Sequence, residues 1–173
     1  MKNTIKTITC IAAIGLAMLA KAEVYTFETF KADFGSIPSV KNHSPVTLGP
    51  GTNTITTYAA DCYTTVGFLT VAISETSIDR TVSLPRQVEL SLQRQNKRAS
   101  GAITYSTVNG YESADYSFLD TINGASYYVM HRIIVVNKRT YYSLMAVVAA
   151  EAGPNAATQE RDRFFNSFSF VTK

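Results

Sequence analysis

The chain has no tryptophan, two cysteines, two histidines and five prolines in 173 residues, and these scarcities remove several classes of function. Cys10 lies in an apolar run near the amino end and Cys62 stands alone beyond it, so the folded part has no pair with which to build a disulfide framework. With His43 and His131 as the whole histidine complement, the sequence holds no His-Glu-x-x-His and no Cys or His pair at zinc spacing. A Gly-x-Ser-x-Gly elbow and a Walker phosphate loop are also missing. The expectation is therefore no catalytic residue, no cofactor and no metal. Charge is scarce too. Lys and Arg number 16 against 13 Asp and Glu, and Lys2, Lys6 and Lys21 account for the whole excess.

Those three lysines belong to a segment that reads as a secretory leader. Lys2 and Lys6 precede the apolar run from Ile8 to Ala20, and Ala20-Lys21-Ala22 places small residues where a signal peptidase inspects them. The run is short for a membrane span, and Glu23 occupies the place where a lipid-anchored chain would carry cysteine. The pattern predicts a signal peptide over 1–22, cleavage after Ala22, and one periplasmic or secreted domain over 23–173. From Glu23 onward the formal charge is zero, which offers no footprint for nucleic acid. The cluster Arg94-Gln95-Asn96-Lys97-Arg98 falls at the end of an expected helix, where cations favour the negative pole of the dipole.

What the chain does have is strand-forming sequence, most densely from Ala102 to Ala150. Tyr127 to Val136 is almost entirely aromatic and β-branched and reads as a central strand. Before it, Ala114, Tyr116 and Phe118 alternate with polar residues; after it, Tyr142, Leu144, Ala146 and Val148 alternate with a second apolar set. Asn123-Gly124 and Asn137-Lys138-Arg139 supply the hairpin turns, with asparagine expected to take up left-handed backbone. Further strands are expected over Val24 to Phe30, Thr54 to Ala60 and Tyr63 to Ser74, the last two joined by a turn at Asp61-Cys62. Glycines and prolines between Phe34 and Asn53 predict a long irregular loop, with room for a short edge strand at its start.

Two helices are expected. Leu84, Val88 and Leu92 recur every four residues behind Ser83 and Pro85, and Asn155 to Asn166 follows the Gly153-Pro154 breaker. Ser167 to Val171 then alternates as a last strand. The fold class is α+β, a central antiparallel sheet with two main helices packed against it.

Few side chains offer chemistry. His131 sits in the central strand and Cys62 beside Asp61, whose carboxylate opposes activation of a thiol. Glu112 and Asp115 are three apart on a strand, so they face opposite ways and cannot form a glycosidase pair. Ten tyrosines are more suggestive, because rings with a polar tip suit partner surfaces. Binding residues concentrate on loops held by a scaffold. The candidate partner surface is therefore Tyr111, at the start of a strand, with His43, Ser44 and Asn53 in the glycine- and proline-rich segment.

The succession of helix, Gly101, strand, Gly110-Tyr111-Glu112, hairpin, Val135-Val136-Asn137-Lys138-Arg139-Thr140-Tyr141-Tyr142, helix and Phe164-Phe165-Asn166-Ser167-Phe168 resembles the PsbP-like superfamily from about Phe27 to Val171. That superfamily includes the extrinsic photosystem II protein, a Ran-binding nuclear import factor and small bacterial envelope proteins. The resemblance implies the fold, since the matching positions are turns and core residues, and it carries no catalytic site. The expected function is an exported, non-enzymatic module that binds another envelope or secreted protein or stabilises an assembly, without nucleic acid and without stable membrane insertion after cleavage. The alternatives are a small hydrolase using His131 or Cys62 and a carrier of a small apolar ligand between sheet and helix.

Overall fold

The structure is a computed structural model that describes residues 24–47, 54–77, 79 and 82–171, the side chains of 42–47 and 54–58 excepted. The expected leader and Asn53 lie outside the described residues. Among these residues ten strands and two α-helices follow in the order β1 (Val24–Thr26), β2 (Phe30–Asp33), β3 (Ser39–Thr47), β4 (Thr54–Tyr63), β5 (Gly67–Thr76), α1 (Leu84–Arg94), β6 (Thr104–Val108), β7 (Tyr111–Ile122), β8 (Ala125–Val135), β9 (Thr140–Ala149), α2 (Gly153–Ser167) and β10 (Ser169–Phe170). Seven of the strands form one antiparallel sheet in the order β3-β4-β5-β9-β8-β7-β6, and β1-β2-β10 form a small second sheet.

Strand β8 is central in packing because its two side-chain sets serve two cores. Val129 and Ile133 join Ala114, Tyr116 and Phe118 of β7 beneath Leu84, Val88 and Leu92 of α1. Met130 and Ile134 face the other way and join Tyr142, Leu144, Ala146 and Val148 of β9 beneath Ala157, Phe164 and Phe165 of α2. The period of two on the strands and of about four on α1 thus place one helix on each face. The small sheet lies on the α2 face, where Phe30 stacks on Phe168 at 5.7 Å between ring centres.

Buried charge fastens these layers. Asp33 of β2 is buried, and Arg163 of α2 reaches it with Nη1 2.7 Å from Oδ1 while its other nitrogens hold Glu160. The register of β7 against β8 sets Asp115 opposite Arg132, which binds it through two N–H groups at 2.7 Å each. Arg132 also donates to the Phe165 carbonyl at 3.1 Å and lies over the Phe165 ring. Asp115 is therefore a cross-strand anchor for α2. Such forked guanidinium–carboxylate pairs are geometrically demanding, so they fix register as well as contribute energy.

Several boundaries differ from the sequence reading. Asp61 and Cys62 are inside β4, and the turn lies at 64–66, where the Thr64 N–H donates to the Gly67 carbonyl at 2.9 Å. The Asn123-Gly124 turn is left-handed as expected, with φ of 52° and 83°. Asn137 instead works through its side chain, whose Oδ1 accepts from the N–H groups of Arg139 and Thr140 at 2.7 and 2.9 Å. A second Asn-Gly turn, Asn109-Gly110 with φ of 51° and 85°, joins β6 to β7. Helix α1 stops at Arg94, at the start of the Arg94 to Arg98 cluster, where Asn96 turns left-handed at φ 52°.

Candidate functional site

His43 and Ser44 do not lie in a loop. Both belong to β3, paired to β4 at the sheet edge, and the backbone register shifts between His43 and Val46 around Pro45. Proline has no N–H to give the ladder, so an edge strand with a bulge is where it can be accommodated. This corrects the expected loop from Phe34 to Asn53, most of whose described residues are extended. Tyr111 opens β7 and is 37% exposed, with its ring against Phe170 at 5.1 Å. It partly covers the small sheet as well as facing solvent. The three candidates among the described residues are therefore split: Tyr111 pairs with Val108 at the β6 end of the sheet, whereas His43 and Ser44 lie in β3 at the opposite end.

His131 lies on the α1 face and is buried. Its Nδ1 is 2.8 Å from the Tyr116 hydroxyl, which is itself 2.8 Å from the Ser91 Oγ on α1. Register explains the first contact, since Tyr116 and His131 are direct cross-strand partners. The Nε2 atom is buried without a hydrogen-bond partner among the described residues. Burial disfavours the imidazolium and lowers the His131 pKa from 6.5 to about 4. Burial likewise raises the Tyr116 pKa, an effect that the Ser91 hydrogen bond opposes. The three side chains form a neutral tie between helix and sheet. No carboxylate among the described residues contacts His131, and Asp115, the nearest in register, points to the other face toward Arg132.

Cys62 is buried on the α2 face near Ser36 and the Phe34 carbonyl. Asp61 points to the opposite face, where it accepts from the Thr70 hydroxyl at 2.7 Å and pairs with Lys41 at 3.5 Å. Neighbours in a strand thus do not share an environment, and the Cys62 thiol is set by the core and not by Asp61.

The sheet has two edges with contrasting chemistry. Strand β3 carries Lys41, Pro45 and a register shift, three features that discourage pairing with another chain. Strand β6 reads Thr-Tyr-Ser-Thr-Val, without charge, proline or bulge. It pairs with β7 alone, and no backbone hydrogen bond among the described residues reaches its outer side. Tyr105 projects from it with 49% of its surface exposed. The succession of Gly101, strand and Gly110 in the sequence already puts a strand here, without marking it as a sheet edge. The signal that marks it is the Asn109-Gly110 pair, which requires a strand on each side. Among the described residues no group of three His, Cys, Asp or Glu side chains is arranged to hold a metal ion, and no helix is long and apolar enough to cross a membrane. Comparison of the chain with protein-family models and with curated proteins gave no match.

Proposed function

We propose that the protein is an exported, non-enzymatic binding module of PsbP-like type, released from its leader after Ala22, which captures an extended segment of another envelope or secreted protein as an added strand beside β6. The observation that carries this reading is the contrast between the two sheet edges. One is guarded by Lys41, Pro45 and a bulge, and the other offers unpaired N–H and C=O groups on an uncharged strand. Strand addition draws affinity from main-chain hydrogen bonds and selectivity from alternate side chains. Thr104 to Val108 carries no charge that a partner would have to neutralise, so an uncharged β-branched or aromatic segment fits it best. Tyr105 supplies an exposed ring of the kind enriched at binding hot spots. The hydrolase reading is less well supported, because His131 and Cys62 are both buried.

The test uses the chain from Glu23 onward with displayed ten-residue peptides selected on it. Selected peptides are expected to shift the amide resonances of Thr104 to Val108. The pair Tyr105→Lys and Thr107→Lys, which adds charge to an exposed edge, should abolish that binding without lowering the unfolding midpoint. Peptides that map to β3, or that bind the lysine variant equally well, would overturn the proposal. So would a concentration-dependent dimer lost in the lysine variant, because the occupant would then be a second copy.

A further inference from the structure

A separate recess lies on the α2 face of the large sheet, at the end away from β6. It has a volume of about 360 Å³ and is bounded by the connection from β1 to β2 on one side and by β3, β4 and β5 on the other. This differs from the expected place for a ligand between sheet and helix, since the small sheet forms the covering wall. That volume falls within the range of small-molecule sites, about 300–1,000 Å³. Phe27 and Phe30 stack at 4.5 Å between ring centres and form one wall; Val40, Ala60, Val71 and Ile73 form the other. Val40 is 61% exposed despite lying in this wall, so its apolar surface faces open space.

The charged groups of the recess are of one sign. Glu28 and Glu75 line it and are exposed, and among the described residues no lysine or arginine lines it. Neither carboxylate enters a hydrogen bond or ion pair among the described residues. The other polar tip, the Tyr142 hydroxyl, is already occupied, donating to Thr29 Oγ1 at 2.9 Å. An anionic amphiphile would set like charge beside two carboxylates, and a neutral one would leave both unused. A cation on an apolar body answers both features of the recess, and aromatic rings add attraction for ammonium groups.

We propose that this recess binds an organic cation with an apolar body, an alkyl- or arylammonium compound, whose hydrocarbon part lies between Phe30 and Ile73 and whose charge rests between Glu28 and Glu75. The site is independent of the β6 edge. Octyltrimethylammonium, added below its self-association concentration to the chain from Glu23 onward, should bind saturably at one site by calorimetry and shift the resonances of Val71 and Ile73. Octanoate and octanol serve as the anionic and neutral counterparts. The double variant Glu28→Gln, Glu75→Gln should weaken the ammonium by about tenfold or more, equivalent to the roughly 1.4 kcal/mol that a tenfold change represents, with an unchanged unfolding midpoint. Equal binding of octanoate or octanol, or no loss in the double variant, would overturn the proposal, as would shifts outside the recess.

Discussion

At the scale of single residues, the difference between a reactive group and a structural one is decided by its surroundings. His131 has the chemistry of a general base, yet it is tied to Tyr116, buried, and held neutral with a pKa of about 4. The consequence for stability has a definite sign. Between pH 6.5 and 4 the unfolded chain takes up a proton at this position and the folded chain does not, so the contribution is complete above pH 6.5 and declines as pH falls through that window. A displacement of about 2.5 pH units corresponds to about 3 kcal/mol. Urea unfolding of the wild type and of His131→Asn at pH 7 and pH 4.5 should show the wild type losing most of this amount relative to the variant. Parallel pH profiles for the two proteins would contradict the assignment. The sequence placed His131 in the central strand but not its partners, since these follow from the register of β7 against β8 and from which face of α1 turns inward. Cys62 teaches the same lesson, because adjacency to Asp61 in sequence becomes separation across a sheet.

At the scale of elements, the strands richest in β-branched and aromatic residues were legible, and those with mixed composition were not. Strands β7 and β9 alternate over most of their length, and β8 is aromatic and β-branched on both faces, so the existence of all three follows from pattern alone. Strand β3 was obscured by Pro45, and the strand between Gly101 and Gly110 was legible as a strand but not as an edge, since edge strands are shaped by what they must avoid as much as by what they bury. The start of β5 shows how close approach selects a residue. A Cβ on Gly67 would lie 1.8 Å from the Val147 carbonyl oxygen, which is backbone and cannot rotate aside. Gly67→Ala should therefore part β5 from β9 at this end and expose the Ala149 amide, which donates to the Val66 carbonyl at 3.0 Å. The expected destabilisation is roughly 1–3 kcal/mol, as for other overpacked sites, with faster hydrogen exchange at Ala149. Gly124→Ala meets no neighbour within 4 Å and suffers only from its positive φ, so it should leave that exchange unchanged.

At the scale of the whole molecule, two separate apolar cores raise the question of whether the protein unfolds in one step or two. Helix α1 and its partners could melt apart from α2 and the small sheet if the cores shared nothing. They share the backbone of β8, whose Val129 and Ile133 serve one core while Met130 and Ile134 serve the other. Arg132, between them in sequence, binds Asp115 of β7 and the Phe165 carbonyl of α2, so the strand under α1 is tied to the helix on the opposite face. Loss of either core frees β8 and removes the support of the other. We therefore expect a single cooperative transition. Val88→Ala, which opens a cavity under α1, and Leu144→Ala, which opens one under α2, should each lower the same midpoint without splitting the curve. The leucine truncation should cost roughly 2–5 kcal/mol and the valine less, because fewer buried methyl groups are removed. The check is to follow helix content by far-ultraviolet circular dichroism and strand protection by hydrogen exchange across the same urea series. Exchange at β7 that rises well before exchange at β9 in Val88→Ala would mean that the two faces unfold separately and that the coupling through β8 and Arg132 is weaker than its geometry requires.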